Sequence, residues 1–206
     1  KSTTLEIMEG IRQQDSGTVT VLGFDNVTQS NEIKNRIGVQ LQSSEYLPSL
    51  TLAELLRLFA GLYGKSVDVK KILSTVGLED KANAQVKELS GGQKQRFTIA
   101  TTLLNDPEIV FLDEPTTGLD PQARRQLWDL VKQINKSGKT VVLTTHYMEE
   151  AEFLCDRVAI VDQGQILKID EPKRLISDLT HTTQVSFLTD ATFGHDVFSH
   201  IPGATQ

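Results

Sequence analysis

Cysteine is nearly absent from this chain of 206 residues, where Cys155 stands alone. No disulfide can form within the chain, and a reducing compartment is the simpler setting. Long apolar runs are missing too. Stretches such as 109–112 and 141–143 fall far short of the ~20 residues that a membrane helix needs, so the chain is not expected to cross a bilayer by itself. Positive charge is not in excess: 21 Lys and Arg face 27 Asp and Glu, a net charge of −6 at pH 7. That balance speaks against a protein that grips nucleic acid by its phosphates, and no nucleic-acid partner is expected. No internal repeat and no low-complexity segment is visible. The chain starts with Lys1-Ser2-Thr3-Thr4-Leu5, which lacks the charged, apolar and small-residue succession of a signal peptide. It is expected to begin inside a longer protein. Residues 184–188 alternate like the opening of a strand without a second half, so the other end is expected to be cut as well. What remains, 38% hydrophobic and 23% charged residues, is the composition of a globular domain with a real core.

Strand and helix periods alternate along the chain. Residues 17–23 read as a short strand or hairpin arm, 26–35 as a helix and 36–41 as a strand. Thr51 with Glu54 has capping-box spacing, and Leu52, Leu55, Leu56, Phe59, Leu62 and Tyr63 form a stripe behind it. Residues 69–76 predict a helix stopped by Gly77. Ser90 with Gln93 repeats the capping-box spacing, followed by Phe97, Ala100, Leu103 and Leu104 up to Pro107. The runs 108–112 and 140–144 read as strands covered on both faces. Between them Asp120 caps a helix that starts at Pro121, carries Leu127, Leu130, Val131 and Ile134 on one face, and closes at Gly138. A short helix over 147–154, strands over 157–161 and 165–169 turning at Asp162-Gln163-Gly164, and a helix over 172–179 complete the pattern. The alternation after residue 108 implies a parallel α/β core with right-handed crossovers. The mostly helical stretch from about 43 to 105 is expected to be inserted in it.

Five places carry chemistry. In Leu89-Ser90-Gly91-Gly92-Gln93 two glycines at a helix start let backbone amides approach an anion, the helix dipole favours negative charge, and Ser90 adds a hydroxyl. The competing reading is a capped helix after a glycine turn. Next, the strand 109–112 delivers Asp113 and Glu114 to the carboxyl edge of a parallel sheet, where ligands bind in open α/β folds. Asp113 suits Mg²⁺ and Glu114 an attacking water; a solvated acid at a strand end is the plainer alternative. The strand 140–144 leads into His146, whose imidazole can donate to a γ-phosphate oxygen, though a lone histidine there is more often surface. Finally, Lys1-Ser2-Thr3 fits the tail of G-x-x-x-x-G-K-[ST], with Lys1 for the β- and γ-phosphates and Ser2 for Mg²⁺. Gln42, at the end of the strand 37–41, could complete the Mg²⁺ shell, with Gln40 a weaker candidate; taken by itself, ordinary polar surface is the plainer reading of either.

In this order the pieces resemble the nucleotide-binding subunit of ATP-binding-cassette (ABC) transporters over roughly residues 1–175. Lys1-Ser2-Thr3 is similar to the end of the Walker A loop, Gln42 to the Q-loop glutamine and Leu89 to Gln93 to the signature motif. Ile109 to Glu114 resembles Walker B with its catalytic glutamate, Gly118-Leu119-Asp120 the D-loop and His146 the switch histidine. The stretch from Thr144 to Glu152, then Cys155 to Ile160, looks like the drug-, lipid- or polysaccharide-exporting branch. The glycine-rich half of Walker A, its strand and the adenine-stacking aromatic are missing, so the resemblance implies truncation inside Walker A and weak or no ATPase activity of these residues alone.

The resemblance implies a P-loop NTPase fold over 1–178, with a helical subdomain at about 43–105 and an extension over 179–206. It implies an ATPase at the cytoplasmic face of the membrane that uses ATP and Mg²⁺ and powers an exporter by ATP-driven closure of a head-to-tail dimer. Each ATP would lie between Lys1, Ser2, Thr3, Gln42, Asp113, Glu114 and His146 of one subunit and Ser90, Gly91, Gly92 and Gln93 of the other, with Asp120 at the junction. The partners implied are a second ATPase subunit and an integral-membrane permease, with Tyr46, Leu47 and Pro48 expected at the docking surface. A soluble ABC ATPase on ribosomes or DNA, or a regulatory module without catalysis, remains as an alternative. His181, His195 and His200 lack metal-ligand spacing, and Cys155 is read as a small buried hydrophobe.

Overall fold

In a computed structural model, residues 1–40 and 46–179 of the chain are described. The chain divides into two compact units, Lys1–Pro172 and Lys173–Gln206, and of the second only helix α8 (Pro172–Leu179) is described. The first unit opens with helix α1 (Ser2–Met8) and a hairpin of β1 (Thr20–Val21) and β2 (Phe24–Asp25) turning through Leu22 and Gly23, both at positive φ. The helix expected over 26–35 is shorter, α2 (Ser30–Lys34). The Asp25 carboxylate accepts hydrogen bonds from the Val27 and Thr28 amides at 3.1 and 2.9 Å, an Asx turn that holds those residues outside the helix.

At the centre of the unit lie three parallel strands, β3 (Ile37–Gln40), β4 (Ile109–Asp113) and β5 (Thr140–Thr144), in the order β3-β4-β5. Their side chains alternate between two faces. Phe111 packs with Leu5 of α1, Val21, Ile33 and Ile37 on one face. Val110 and Leu112 belong to the larger core on the other, built from helices α3 (Leu52–Leu62), α4 (Val69–Thr75), α5 (Gly91–Thr102) and α6 (Pro121–Lys136). Both capping boxes form as the spacing predicts, Thr51 with Glu54 and Ser90 with Gln93. Asp120 caps α6 by accepting from the amides of Gln122 and Ala123, each at 2.9 Å, and Leu127, Leu130, Val131 and Ile134 are buried.

Three expectations need adjusting. Helix α3 stops at Leu62, so Leu62 and Tyr63 lie exposed at its end rather than on the buried stripe. Helix α5 stops at Thr102, before Pro107, because Asn105 leaves the helix to donate to the Ile37 carbonyl at 2.8 Å, and Asp106 takes positive φ. Cys155 is only half-buried. Beyond helix α7 (Met148–Leu154), strands β6 (Val158–Asp162) and β7 (Gln165–Asp170) pair as a hairpin. Its central residues, Gln163 and Gly164, both have positive φ, which matches the right-handed strand twist.

The end of α5 lies directly on β3. A Cβ added at Gly38 would stand 2.1 Å from the Thr102 carbonyl oxygen, whereas one added at Gly61, inside α3, would meet nothing within 4 Å. Gly38→Ala is therefore expected to destabilise the fold by about 3 kcal/mol, near the top of the overpacking range. Gly61→Ala should instead stabilise it by up to ~1 kcal/mol through helix propensity. Denaturant midpoints of the two variants check both signs.

Candidate functional site

Register sets the site. Asp113, the last residue of β4, lies opposite Thr144, the last of β5. The Thr144 hydroxyl donates to Asp113 Oδ1 and accepts the Glu114 amide at 3.1 Å. This bridge holds Glu114 at φ +48, a left-handed conformation that costs a non-glycine residue free energy. The strained backbone turns the Glu114 carboxylate toward the end of the next strand. There Oε1 stands 2.5 Å from His146 Nε2, while the Thr117 hydroxyl donates to Oε2 at 3.3 Å. Glu114 is largely covered and His146 largely open.

Lys1 completes the cluster. Its Nζ lies 3.0 Å from His146 Nδ1 and donates to the Thr145 carbonyl at 3.3 Å. An ammonium can only donate, so Nδ1 accepts, and the ring proton of a neutral His146 sits on Nε2, facing Glu114. Lys1, Asp113, Glu114 and His146 thus meet at the carboxyl ends of β4 and β5. Ser2 and Thr3 follow Lys1 in the first turn of α1 and are exposed.

Other expected residues lie elsewhere. Gln42 falls outside the described residues. Gln40 pairs with Leu112 and so shares its face of the sheet, the face opposite to Asp113; it does not join the cluster. Ser90 and Gln93 are occupied with each other in their capping box. The two signature glycines separate. A Cβ at Gly92 would come 2.9 Å from Ala123 Cβ, so that glycine lets α5 and α6 approach, but one at Gly91 would meet nothing within 4 Å. Packing among the described residues explains Gly92 and leaves Gly91 unexplained. Asp120 spends one carboxylate oxygen on its helix cap. Tyr46 is not surface as expected: its ring packs edge-on against Phe97 and Phe59, and its hydroxyl donates to Thr98 at 3.0 Å. Leu47 and Pro48 are exposed. His181, His195 and His200 also lie outside the described residues.

No motif signals Thr144 as a bridge, nor Glu9. Glu9, just after α1, is 3% exposed, and burial, then the charges of Asp113 and Glu6, push its carboxyl up to about 7. The burden of negative charge around Asp113 is what a divalent cation relieves. Two consecutive carboxylates with hydroxyl neighbours are a hard-oxygen donor set suited to Mg²⁺, and Lys1 suits a phosphate. The residues present therefore fit a magnesium nucleotide.

Burial favours the protonated form of Glu9, so this residue contributes stability below its unfolded value of 4.5, and that contribution is lost as pH rises through about 7. Glu9→Gln, which cannot ionise, should melt at a higher temperature than the parent at pH 8, with the difference fading toward pH 4.5. Melting curves in chelator across that window check it.

Comparisons with known proteins agree in kind. The family model described as ABC transporter matches residues 1–117. The chain is 41% identical over 181 residues to the Nod factor export ATP-binding protein I of Burkholderia lata, covering 85% of this chain and 60% of that protein. It is 40% identical over 184 residues to the linearmycin resistance ATP-binding protein LnrL of Bacillus subtilis, covering 87% and 59%. The chain thus spans about 60% of the length of the curated relatives it matches. Among solved structures, an ATP-binding cassette captured as a dimer in a post-hydrolysis state with ADP and Pi superposes with a TM-score of 0.72 at 29% identity, over 83% of this chain and 80% of that one. The ATP-binding subunit of an ABC transporter gives 0.73 at 26% identity, over 86% and 76%. With the family model matching more than half of its residues and cassette structures sharing its sheet and helices, the chain belongs to the ABC transporter family, as one of its ATP-binding cassettes.

Proposed function

We propose that the chain is the ATP-hydrolysing part of an ABC exporter, peripheral on the cytoplasmic face of the membrane and driven by ATP-dependent closure of a head-to-tail dimer. The observation that carries this reading is the meeting of Lys1, Glu114 and His146 at one sheet edge, with Asp113 held beside them by Thr144. Lys1 leaves His146 for the β- and γ-phosphates when nucleotide binds. The water that attacks the γ-phosphorus gives its proton to Glu114 as the bond from that phosphorus to the β,γ-bridging oxygen breaks and ADP leaves, and His146 donates from Nε2 to a γ-phosphate oxygen. The Ser2 hydroxyl and Asp113, with Gln42, would hold Mg²⁺, which would supply positive charge to the phosphates.

The second half of the nucleotide site comes from another copy. Gly91 has no packing reason to be glycine among the described residues, while the capped start of α5 offers unpaired amides and a favourable dipole. Ser90, Gly91, Gly92 and Gln93 then meet the γ-phosphate across the dimer, with Asp120 near the junction. Export is favoured by the names of two relatives, a Nod factor export protein and a linearmycin resistance protein. No described helix is long and apolar enough to cross a membrane; the transport path in this reading is an integral-membrane permease. The exposed Leu47 and Pro48 are offered to it, and the helical stretch 43–105 relays the closing motion.

The experiment uses a chain in which a complete glycine-rich phosphate loop precedes Lys1. Glu114→Gln should lower Mg²⁺-ATP turnover by ~10²–10⁴ while ATP still drives dimer formation in size-exclusion chromatography. Turnover at the parent rate in this variant would remove Glu114 from the role.

A further inference from the structure

The loop that carries His146 is gripped from outside the reacting groups. One face of α6, at the i, i+4 and i+8 positions Arg124, Trp128 and Lys132, lies along Tyr147 and α7. The Arg124 guanidinium carbon stands 4.2 Å from the centre of the Tyr147 ring. One turn on, Trp128 donates from Nε1 to the fully buried Glu150 at 2.8 Å and stacks on Phe153 at 5.1 Å. A further turn on, Lys132 Nζ lies 3.3 Å from the Phe153 ring centre. The first rung is the informative one, because Tyr147 is the residue after His146. It precedes α7, and its amide donates to the Thr145 hydroxyl at 2.9 Å, so the ring and the backbone on both sides of His146 move together.

Arg124 itself is well anchored. Its amide closes the first turn of α6 on the Asp120 carbonyl. The neighbouring Ala123 is in close approach to Gly92 of α5, and Arg96 of α5 donates to Gln126 at 2.7 Å. Arg124 Nε is buried with no hydrogen-bond partner among the described residues. A cation that gives up hydrogen bonds in this way depends on the ring face for compensation.

We infer that Arg124 and Tyr147 are positioning residues: their cation–π contact fixes the His146 loop to the helix that starts at Asp120 and so holds His146 against Glu114. Neither side chain touches the reacting atoms. The inference rests on the role proposed above for His146. A loop released by even 1 Å misplaces the imidazole, a displacement that costs from about tenfold to a hundredfold in rate. The loss should fall on turnover and not on affinity, because Lys1 and the signature residues that would hold the nucleotide are untouched.

Two measurements separate this inference from the reading beneath it. The first is steady-state ATP hydrolysis by the chain with a complete phosphate loop. Tyr147→Ala should lower kcat by about tenfold or more with KM within about twofold. Tyr147→Phe, which keeps the ring face, should stay within about twofold of the parent. Arg124→Gln should match Tyr147→Ala, and the double variant should lose no more than either single one, since both remove the same contact. Arg124→Gln also carries the test where Tyr147→Ala fails to fold. The inference is overturned by an unchanged kcat in Tyr147→Ala and Arg124→Gln, by additive losses in the double variant, or by Tyr147→Phe falling as far as Tyr147→Ala. The second measurement, the His146 ring resonances of the 206-residue chain at fixed pH, needs no turnover. They should shift in Tyr147→Ala and Arg124→Gln but stay near the parent's in Tyr147→Phe. A parent that never hydrolyses ATP yet shows these shifts refutes the proposed reaction and leaves the positioning intact; unmoved resonances refute the positioning.

Discussion

A single hydroxyl, that of Thr144, lets two consecutive carboxylates share the end of one strand. It donates to Asp113 and accepts from the Glu114 amide, so it satisfies one acid while bending the backbone of the next. Only a side chain that is donor and acceptor together can do both. It can act here because the parallel register of β4 and β5 places Thr144 opposite Asp113. A register one residue off would turn the hydroxyl to the other face of the sheet. The left-handed backbone at Glu114 follows from this constraint, and with it the 2.5 Å contact to His146. The buried apolar strands are therefore the means by which the polar edge is set to ångström tolerance.

The same sheet fixes where α5 begins and ends. Its far end presses on Gly38, and its second residue, Gly92, meets Ala123 of α6. With one core shared by α3, α4, α5, β4 and α6, the start of α5 is tied to the helix that Asp120 caps. That tie gives the two halves of the proposed nucleotide site a defined relation within each chain, even though they would serve different nucleotides in a dimer.

What was legible in the sequence was local. The capping boxes at Thr51 and Ser90 and the Asp120 cap with its apolar stripe depend on residues three or four positions apart, and all formed as expected. Strands 108–112 and 140–144 were readable as apolar runs; β4 is covered on both faces as expected, whereas β5 is only half-buried along its length. The misreadings arose where a neighbour distant in sequence, or a small turn, competes with periodicity. Asp25 captures two amides and shortens a helix; Asn105 reaches back to Ile37 and ends another. Tyr46 reads as surface from the sequence because its aromatic neighbours, Phe59 and Phe97, come from α3 and α5, distant in the chain. Within the site the acids and the histidine could be named from their motifs, but the meeting of Lys1 with His146 is a contact across 145 positions, and Thr144 and Glu9 act through register and burial that no short pattern records.

The charges at the sheet edge argue for the form in which nucleotide arrives. Asp113 and Glu114 end one strand, and Glu9 sits close enough to Asp113 for that charge to raise its own carboxyl toward neutrality. Lys1 is the cation set against them, and it is already engaged with His146 and the Thr145 carbonyl. A polyanion entering alone would bring negative phosphate oxygens to carboxylates that already repel one another, in a partly covered site where charges are weakly screened. Under the proposed reading, phosphates delivered with a divalent cation would meet attraction at Asp113 in place of repulsion, and Lys1 would turn from the imidazole to the nucleotide. In the proposed reading the departure of Lys1 would free only Nδ1, while the Nε2 proton faces Glu114, so His146 would serve a phosphate oxygen only by giving up that carboxylate as well.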